Sequence, residues 1–160
     1  MAIVCHSLQD TVDFGASLGR LLRAGDVIAL RGPLGIGKTQ LVRGIAQSYL
    51  GEGVRVCSPS FTIINRYEAV GGRVIHHLDL YRLSTLEELE STGYWDSIED
   101  PSALVVIEWL EQVDRAQPIE FVTLCLSFLE EGGDLSLSPR CIELEFSAPS
   151  ALSHRLSSLF

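Results

Sequence analysis

Lysine is nearly missing from this chain. Of its 12 basic residues in 160, Lys38 alone is a lysine and the other eleven are arginines. Schiff-base chemistry at any other position is therefore excluded. Protein-kinase architecture is excluded too, because it needs a strand lysine separate from the glycine-rich loop. Long apolar runs are also lacking: Ala103–Ile107 and Phe121–Leu126 fall far short of the ~20 residues of a membrane span. Met1–Asp10 has no basic patch followed by an apolar stretch, so no secretory signal is read there. The four cysteines, Cys5, Cys57, Cys125 and Cys141, contain no C-x-x-C pair. They are expected to be reduced and structural, in a cytoplasmic protein. Positive charge is short overall, with a formal net of -9, which argues against a broad surface for a nucleic-acid backbone.

What remains describes a globular chain. Hydrophobic content of 46% and charged content of 21% are ordinary for one domain, and the length needs no disulfide or metal staple. A single domain over 1–160 is expected. Charge divides unevenly: residues 1–66 carry a net +3 and residues 67–160 a net -12. The acids Glu87, Glu88, Glu90, Asp96, Glu99 and Asp100 form the sharpest run, read as a solvated surface. The other reading is a face that repels RNA and steers a basic protein.

Ser7 is a good helix N-cap with Asp10 three residues on, and Leu8, Val12, Phe14, Leu18, Leu21 and Leu22 recur at helical spacing up to Gly25. Val27–Leu30 reads as a buried strand. It leads through a glycine-rich loop into a second helix with Leu41, Val42, Ile45, Ala46 and Tyr49 on its apolar face and Gly51 as its stop. Phe61–Ala69 and Arg73–Leu80 read as a hairpin across Gly71-Gly72, Thr85–Leu89 as a short helix and Ala103–Trp109 as a buried strand. Ile119–Leu129 and Arg140–Phe146 are strands around a turn-rich stretch with Gly132-Gly133-Asp134, and Leu152–Phe160 closes as a small helix. The expected class is α/β: a mixed sheet with parallel core strands and antiparallel flanking strands, with helices on both faces.

Gly32-Pro33-Leu34-Gly35-Ile36-Gly37-Lys38-Thr39 fits G-x-x-x-x-G-K-[ST] in the strand–loop–helix context that this motif requires. Glycines let the backbone turn consecutive N–H groups toward a phosphate, and the helix adds its positive end. Lys38 supplies a mobile charge to the terminal phosphates, and the Thr39 hydroxyl suits Mg²⁺. A guanine-reading [NT]-K-x-D motif would need a second lysine, so adenine is the expected base. Such a site also needs an acid for the metal and a group to position water or acceptor. Glu108 ends the apolar strand, where a Walker B acid would stand, and Asp79 ends the second hairpin strand. His77-x-Asp79 lacks a third transition-metal ligand, so His76 and His77 read as ordinary strand histidines. Ser58-Pro59-Ser60-Phe61-Thr62 reads equally well as a nucleotide-sensing segment or as a simple Ser-Pro turn.

Together these pieces resemble the TsaE family, small ATPases of bacterial tRNA threonylcarbamoyladenosine biosynthesis. The family's phosphate loop is matched by Gly32 to Thr39 and its S-P-T-[FY]-T segment by Ser58 to Thr62. H-x-D-x-Y-R-L is matched by His77, Asp79, Tyr81, Arg82 and Leu83, E-L-E…G by Glu88-Leu89-Glu90 and Gly93, and I-E-W by Ile107-Glu108-Trp109. Thr11 and Phe14-Gly15 match T-x-x-[LF]-G near the N-terminus. The resemblance implies an ATP- and Mg²⁺-dependent ATPase that acts on TsaB-like and TsaD-like partners, touches tRNA only indirectly, and does not itself transfer the group. It implies catalytic roles for Lys38, Asp79 and Glu108, with Thr39, Glu108 and Asp79 toward the metal. The nucleotide is expected against Thr11, Gly35, Ile36, Gly37, Lys38, Thr39, Gln40, Trp109 and Arg140. Ser60, Gln40, Pro33 and Leu110 depart from the family's usual residues without touching the phosphate chemistry. The alternative from another class is a small-molecule kinase. An arginine-rich lid would favour it, but no Arg or Lys stands between Arg82 and Arg115.

Overall fold

Ser7 starts the first helix as its spacing predicts: its hydroxyl accepts from the Asp10 amide at 3.0 Å, and α1 runs Leu8–Gly19. The computed structural model describes residues 2–113, 115–129, 138–146 and 149–160. The apolar pattern through Leu21 and Leu22 does not prolong α1. The Asp26 carboxylate accepts from the Arg23 amide at 2.7 Å, turning the chain into β2 (Val27–Arg31) instead. The loop then opens α2 (Lys38–Leu50), whose five expected apolar positions are all buried and whose C-cap is Gly51.

The hairpin forms β3 (Ile64–Glu68) and β4 (Val74–Asp79), with Ala69 donating to the Arg73 carbonyl and Gly72 to that of Ala69. β3 starts three residues later than its β-branched text suggests, because the Ile63 amide turns back to the Pro59 carbonyl at 2.7 Å. Thr85 caps α3 (Leu86–Glu90) through a reciprocal bond pair with Glu88. Three elements are unanticipated: α4 (Tyr94–Ile98), one and a half turns behind Gly93; a 3₁₀ turn over Leu110–Gln112; and β1 (Ala2–Cys5), which pairs antiparallel at the sheet edge. β5 (Ala103–Glu108) stops one residue short of Trp109, and β6 (Val122–Phe128) is trimmed at both ends. β7 (Arg140–Phe146) keeps its expected bounds, and α5 (Ala151–Leu156) continues as a 3₁₀ turn over Ser157–Leu159. The Gly132-Gly133-Asp134 turn lies outside the described residues. All four cysteines are free; Cys5 is buried, but Cys57 is exposed and is not a core residue.

The strands form one mixed sheet in the order β1-β7-β6-β2-β5-β4-β3. β6, β2, β5 and β4 are mutually parallel, and the flanking pairs are antiparallel. Strand alternation assigns the two faces. Ile28, Leu30, Leu104 and Val106 pack with α1, α2 and α5, whereas Val27, Ala29, Val105 and Ile107 pack with Leu89, Tyr94, Leu110 and Val113.

Helices α1 and α2 touch backbone to backbone. A Cβ on Gly44 would lie 2.0 Å from the Val12 carbonyl oxygen, and one on Gly15 would lie 2.4 Å from that of Leu41. This approach carries the start of α1 beside the phosphate loop. Gly44→Ala is expected to lower stability by about 1–3 kcal/mol, as forced overpacking does. Urea unfolding midpoints measure it, and an unchanged midpoint would show that the helix spacing relaxes freely.

Candidate nucleotide-binding site

The site lies where the parallel strands end. Leu30 of β2 pairs with Glu108 of β5, and Glu108 pairs with Asp79 of β4. Three neighbouring strands therefore deliver the loop and two carboxylates to the same edge, the usual ligand position in open α/β sheets. Asp79 and His77 share the α2 face of β4, because Ile75 on that face packs in the α1–α2 core.

Gly35 and Gly37 take φ of 78° and 110°, conformations that strain any residue with a Cβ. The first helical bond of α2 runs from the Leu41 amide to the Gly37 carbonyl, at 3.0 Å. The amides of Lys38, Thr39 and Gln40 are thus the first-turn donors that a helix leaves without intrahelical partners. Lys38 is 5% exposed. Its ammonium donates to the Gly32 carbonyl at 2.8 Å and the Pro33 carbonyl at 3.2 Å, and lies 4.0 Å from the centre of the Trp109 ring. Burial pushes its pKa below the usual lysine value, while the nearby Glu108 and Asp79 charges oppose that shift.

Glu108 is buried at 3% exposure. Its Oε1 accepts from Thr39 Oγ1 at 3.3 Å and is 2.9 Å from His77 Nε2. Asp79 Oδ1 accepts from the Tyr81 amide at 3.0 Å, and its Oδ2 accepts from Ser60 Oγ at 3.0 Å and Ser58 Oγ at 3.4 Å. The Ser58–Thr62 segment is therefore both a local turn and a clasp on Asp79, and the hydroxyl retained at Ser60 makes the shorter contact. Trp109 has φ 62°, a left-handed conformation costing a non-glycine residue about 1–3 kcal/mol. That turn lays its ring over Lys38 and 5.0 Å from the Tyr81 ring.

Gly35, Gly37, Lys38, Thr39, Gln40, Asp79, Glu108 and Trp109 all line one cleft of about 280 Å³, joined by Leu8, Leu34, Ser58, Ser60 and Tyr81. Ile36 contributes only backbone to the loop, its side chain being fully buried in the core. Thr11 and Arg140 do not line the cleft. Both are fully buried behind the loop, where Arg140 Nη1 donates to Thr11 Oγ1 at 3.3 Å. A Cβ on Gly37 would meet them at 3.9 and 3.6 Å. The residue that sequence reasoning missed is His77, set aside as an ordinary strand histidine. Its signal was the two-residue offset from Asp79, which puts both side chains on one sheet face.

The donor chemistry fits an anionic polyphosphate with a hard cation. Backbone amides and an ammonium face one part of the cleft, and a hydroxyl and two carboxylates face another, all oxygen donors of the kind that Mg²⁺ takes. The fold and this loop define a P-loop NTPase-like protein. A crystal structure of Bacillus subtilis YdiB superposes with a TM-score of 0.76 over 99% of this chain and 93% of that one, at 22% identity. Residues 5–133 match the family model "Threonylcarbamoyl adenosine biosynthesis protein TsaE", and the chain belongs to the TsaE family. A Treponema pallidum relative named tRNA threonylcarbamoyladenosine biosynthesis protein TsaE is 38% identical over 134 residues, 82% of this chain and 95% of that protein. A Nostoc protein of the same name is 40% identical over 131 residues, covering 78% and 76%.

Because Lys38 is the only lysine, amine acylation read by mass spectrometry reports on its environment directly. In the nucleotide-free protein, Trp109→Ala is expected to speed Lys38 acylation by about 2- to 30-fold, the equivalent of a lost cation–π contact of roughly 0.5–2 kcal/mol. An unchanged rate would show that the ring does not shield the amine.

Proposed function

We propose that this chain binds and hydrolyses ATP with Mg²⁺ as an accessory protein of the machinery that forms N6-threonylcarbamoyladenosine in tRNA. In this reading it acts on TsaB-like and TsaD-like proteins and does not transfer the group itself. The observation that carries the ATPase reading is the in-register pairing of Asp79 with Glu108 beside Thr39 and the phosphate loop. The relatives' names supply the pathway.

In this reading the loop amides and Lys38 hold the phosphates, with Lys38 exchanging its Gly32 and Pro33 carbonyls for phosphate oxygens. Thr39 and Glu108 hold the metal, and Asp79 supports it or orients water. Mg²⁺, when bound, neutralises charge on the phosphate oxygens. Asp79 is tied to Ser58 and Ser60, so any movement of that segment on nucleotide binding alters how this carboxylate is held.

A protein partner is supported by the rim. Phe61 is 84% exposed and Leu34 71% exposed, with Tyr81 also open to solvent beside the cleft. The net -12 of residues 67–160 favours protein contact over direct tRNA contact. No described helix is long and apolar enough to cross a membrane; we place the protein in the cytoplasm, with the tRNA-modifying proteins on which it acts.

Calorimetric titration of ATP with Mg²⁺, and phosphate release measured with and without TsaB and TsaD, test this function. Lys38→Ala is expected to remain folded, to weaken nucleotide binding by about 2–5 kcal/mol and to abolish turnover. An unchanged rate in the folded variant would refute the site. ATP-dependent phosphorylation of a small alcohol would instead make the protein a kinase.

A further inference from the structure

His77 is the group in this region without an assigned task. It is fully buried on β4, the strand that pairs with the β5 carrying Glu108. A buried imidazole is costly unless its nitrogens find partners. Nε2 finds one, Glu108 Oε1 at 2.9 Å, while Nδ1 is buried and has no hydrogen-bond partner among the described residues. Around it on this face stand the core residues Ile75 and Val106, the Tyr67 ring at 6.2 Å and its β3 partner Asn65, and the hydrogen bond that its ring makes is to Glu108. The placement follows from the ladder: His77 pairs with Val106, so Glu108 is its diagonal neighbour on the same face.

We propose that His77 is a positioning residue that fixes the Glu108 carboxylate for metal binding. The ring donates Nε2–H to Oε1. With Thr39 Oγ1 on the same oxygen, Glu108 is held by two donors from two different elements, β4 and α2. Among the described residues Oε2 takes no hydrogen bond, so the two contacts on Oε1 set the direction in which Oε2 points. A glutamate has three side-chain torsions, and a ligand that has to be ordered at each binding event binds more weakly. The inference rests on the Mg²⁺-nucleotide reading of the site. It adds that the metal's carboxylate ligand Glu108 is held in place by a histidine from the neighbouring strand.

Two measurements test it. In the wild-type protein without ligands, the ¹⁵N spectrum of His77 is expected to show the Nε2–H tautomer, changed when Glu108→Gln alters the partner; an Nδ1–H tautomer would overturn the proposal without any variant of His77. Secondly, ADP affinity is measured with Mg²⁺ and with chelator in His77→Leu and His77→Gln, alongside thermal melting. His77→Leu is expected to keep wild-type affinity in chelator and to raise the Mg²⁺ concentration for half-maximal enhancement by about 10–100-fold, the usual effect of removing a ligand's hydrogen-bond partner. His77→Gln, which returns an N–H near the Nε2 position, is expected to recover most of that loss. Wild-type metal dependence in His77→Leu, or equal loss in both variants, overturns the positioning role. Loss of ADP binding in the wild-type protein itself would instead count against the nucleotide site.

Discussion

The parallel ladder joining β2, β5 and β4 is the constraint on which the rest depends. Because Leu30, Glu108 and Asp79 occupy consecutive positions across it, the loop after β2 emerges beside two carboxylates. A slip of one residue in the β4–β5 register would turn one carboxylate to the opposite face, since side chains alternate along a strand. The burial of β4 and β5 resists that slip. Both strands are buried along their full length, so every position is tied to a packing environment on one face or the other.

Around this ladder the chain concentrates features that cost stability. Lys38, His77, Asp79 and Glu108 are all buried, Trp109 is held in a left-handed conformation, and the Lys38 ammonium is partly desolvated. Each has a compensating partner: loop carbonyls and an aromatic face for Lys38, Thr39 and His77 for Glu108, two serines and an amide for Asp79. Behind the loop, Arg140 and Thr11 pack against Gly37, linking β7 and α1 to the same turn. A site held from so many elements is pre-organised before any ligand arrives.

Much of this was legible in the sequence where one local signal was strong. The capped amphipathic α1, the glycine-rich loop, the apolar face of α2 and the turn at Gly71-Gly72 each carry their own pattern. The solved misses have physical causes. β1 has four residues, all apolar, so the alternation in its burial leaves no apolar–polar pattern to read. α4 has five residues and no side-chain cap, too short to reveal a period. α1 ends where the Leu21 amide turns to the Leu18 carbonyl, and the Arg23–Asp26 contact then redirects the chain, neither of which hydrophobic spacing encodes. Within the site, Lys38, Thr39, Asp79 and Glu108 were visible from motif and strand-end position. The His77–Glu108 and Arg140–Thr11 contacts were not, because they join residues 31 and 129 positions apart.

We propose the Gly32–Thr39 loop as a phosphate site with Lys38 at its centre. The solitary lysine makes one measurement decisive: acylation of the Lys38 amine in the wild-type protein, followed by mass spectrometry across a titration of Mg²⁺-ATP. Protection of Lys38 is expected to rise with nucleotide, to saturate, and to be absent with adenosine alone. Equal modification of Lys38 at saturating Mg²⁺-ATP and without it would rule out a phosphate site at this loop.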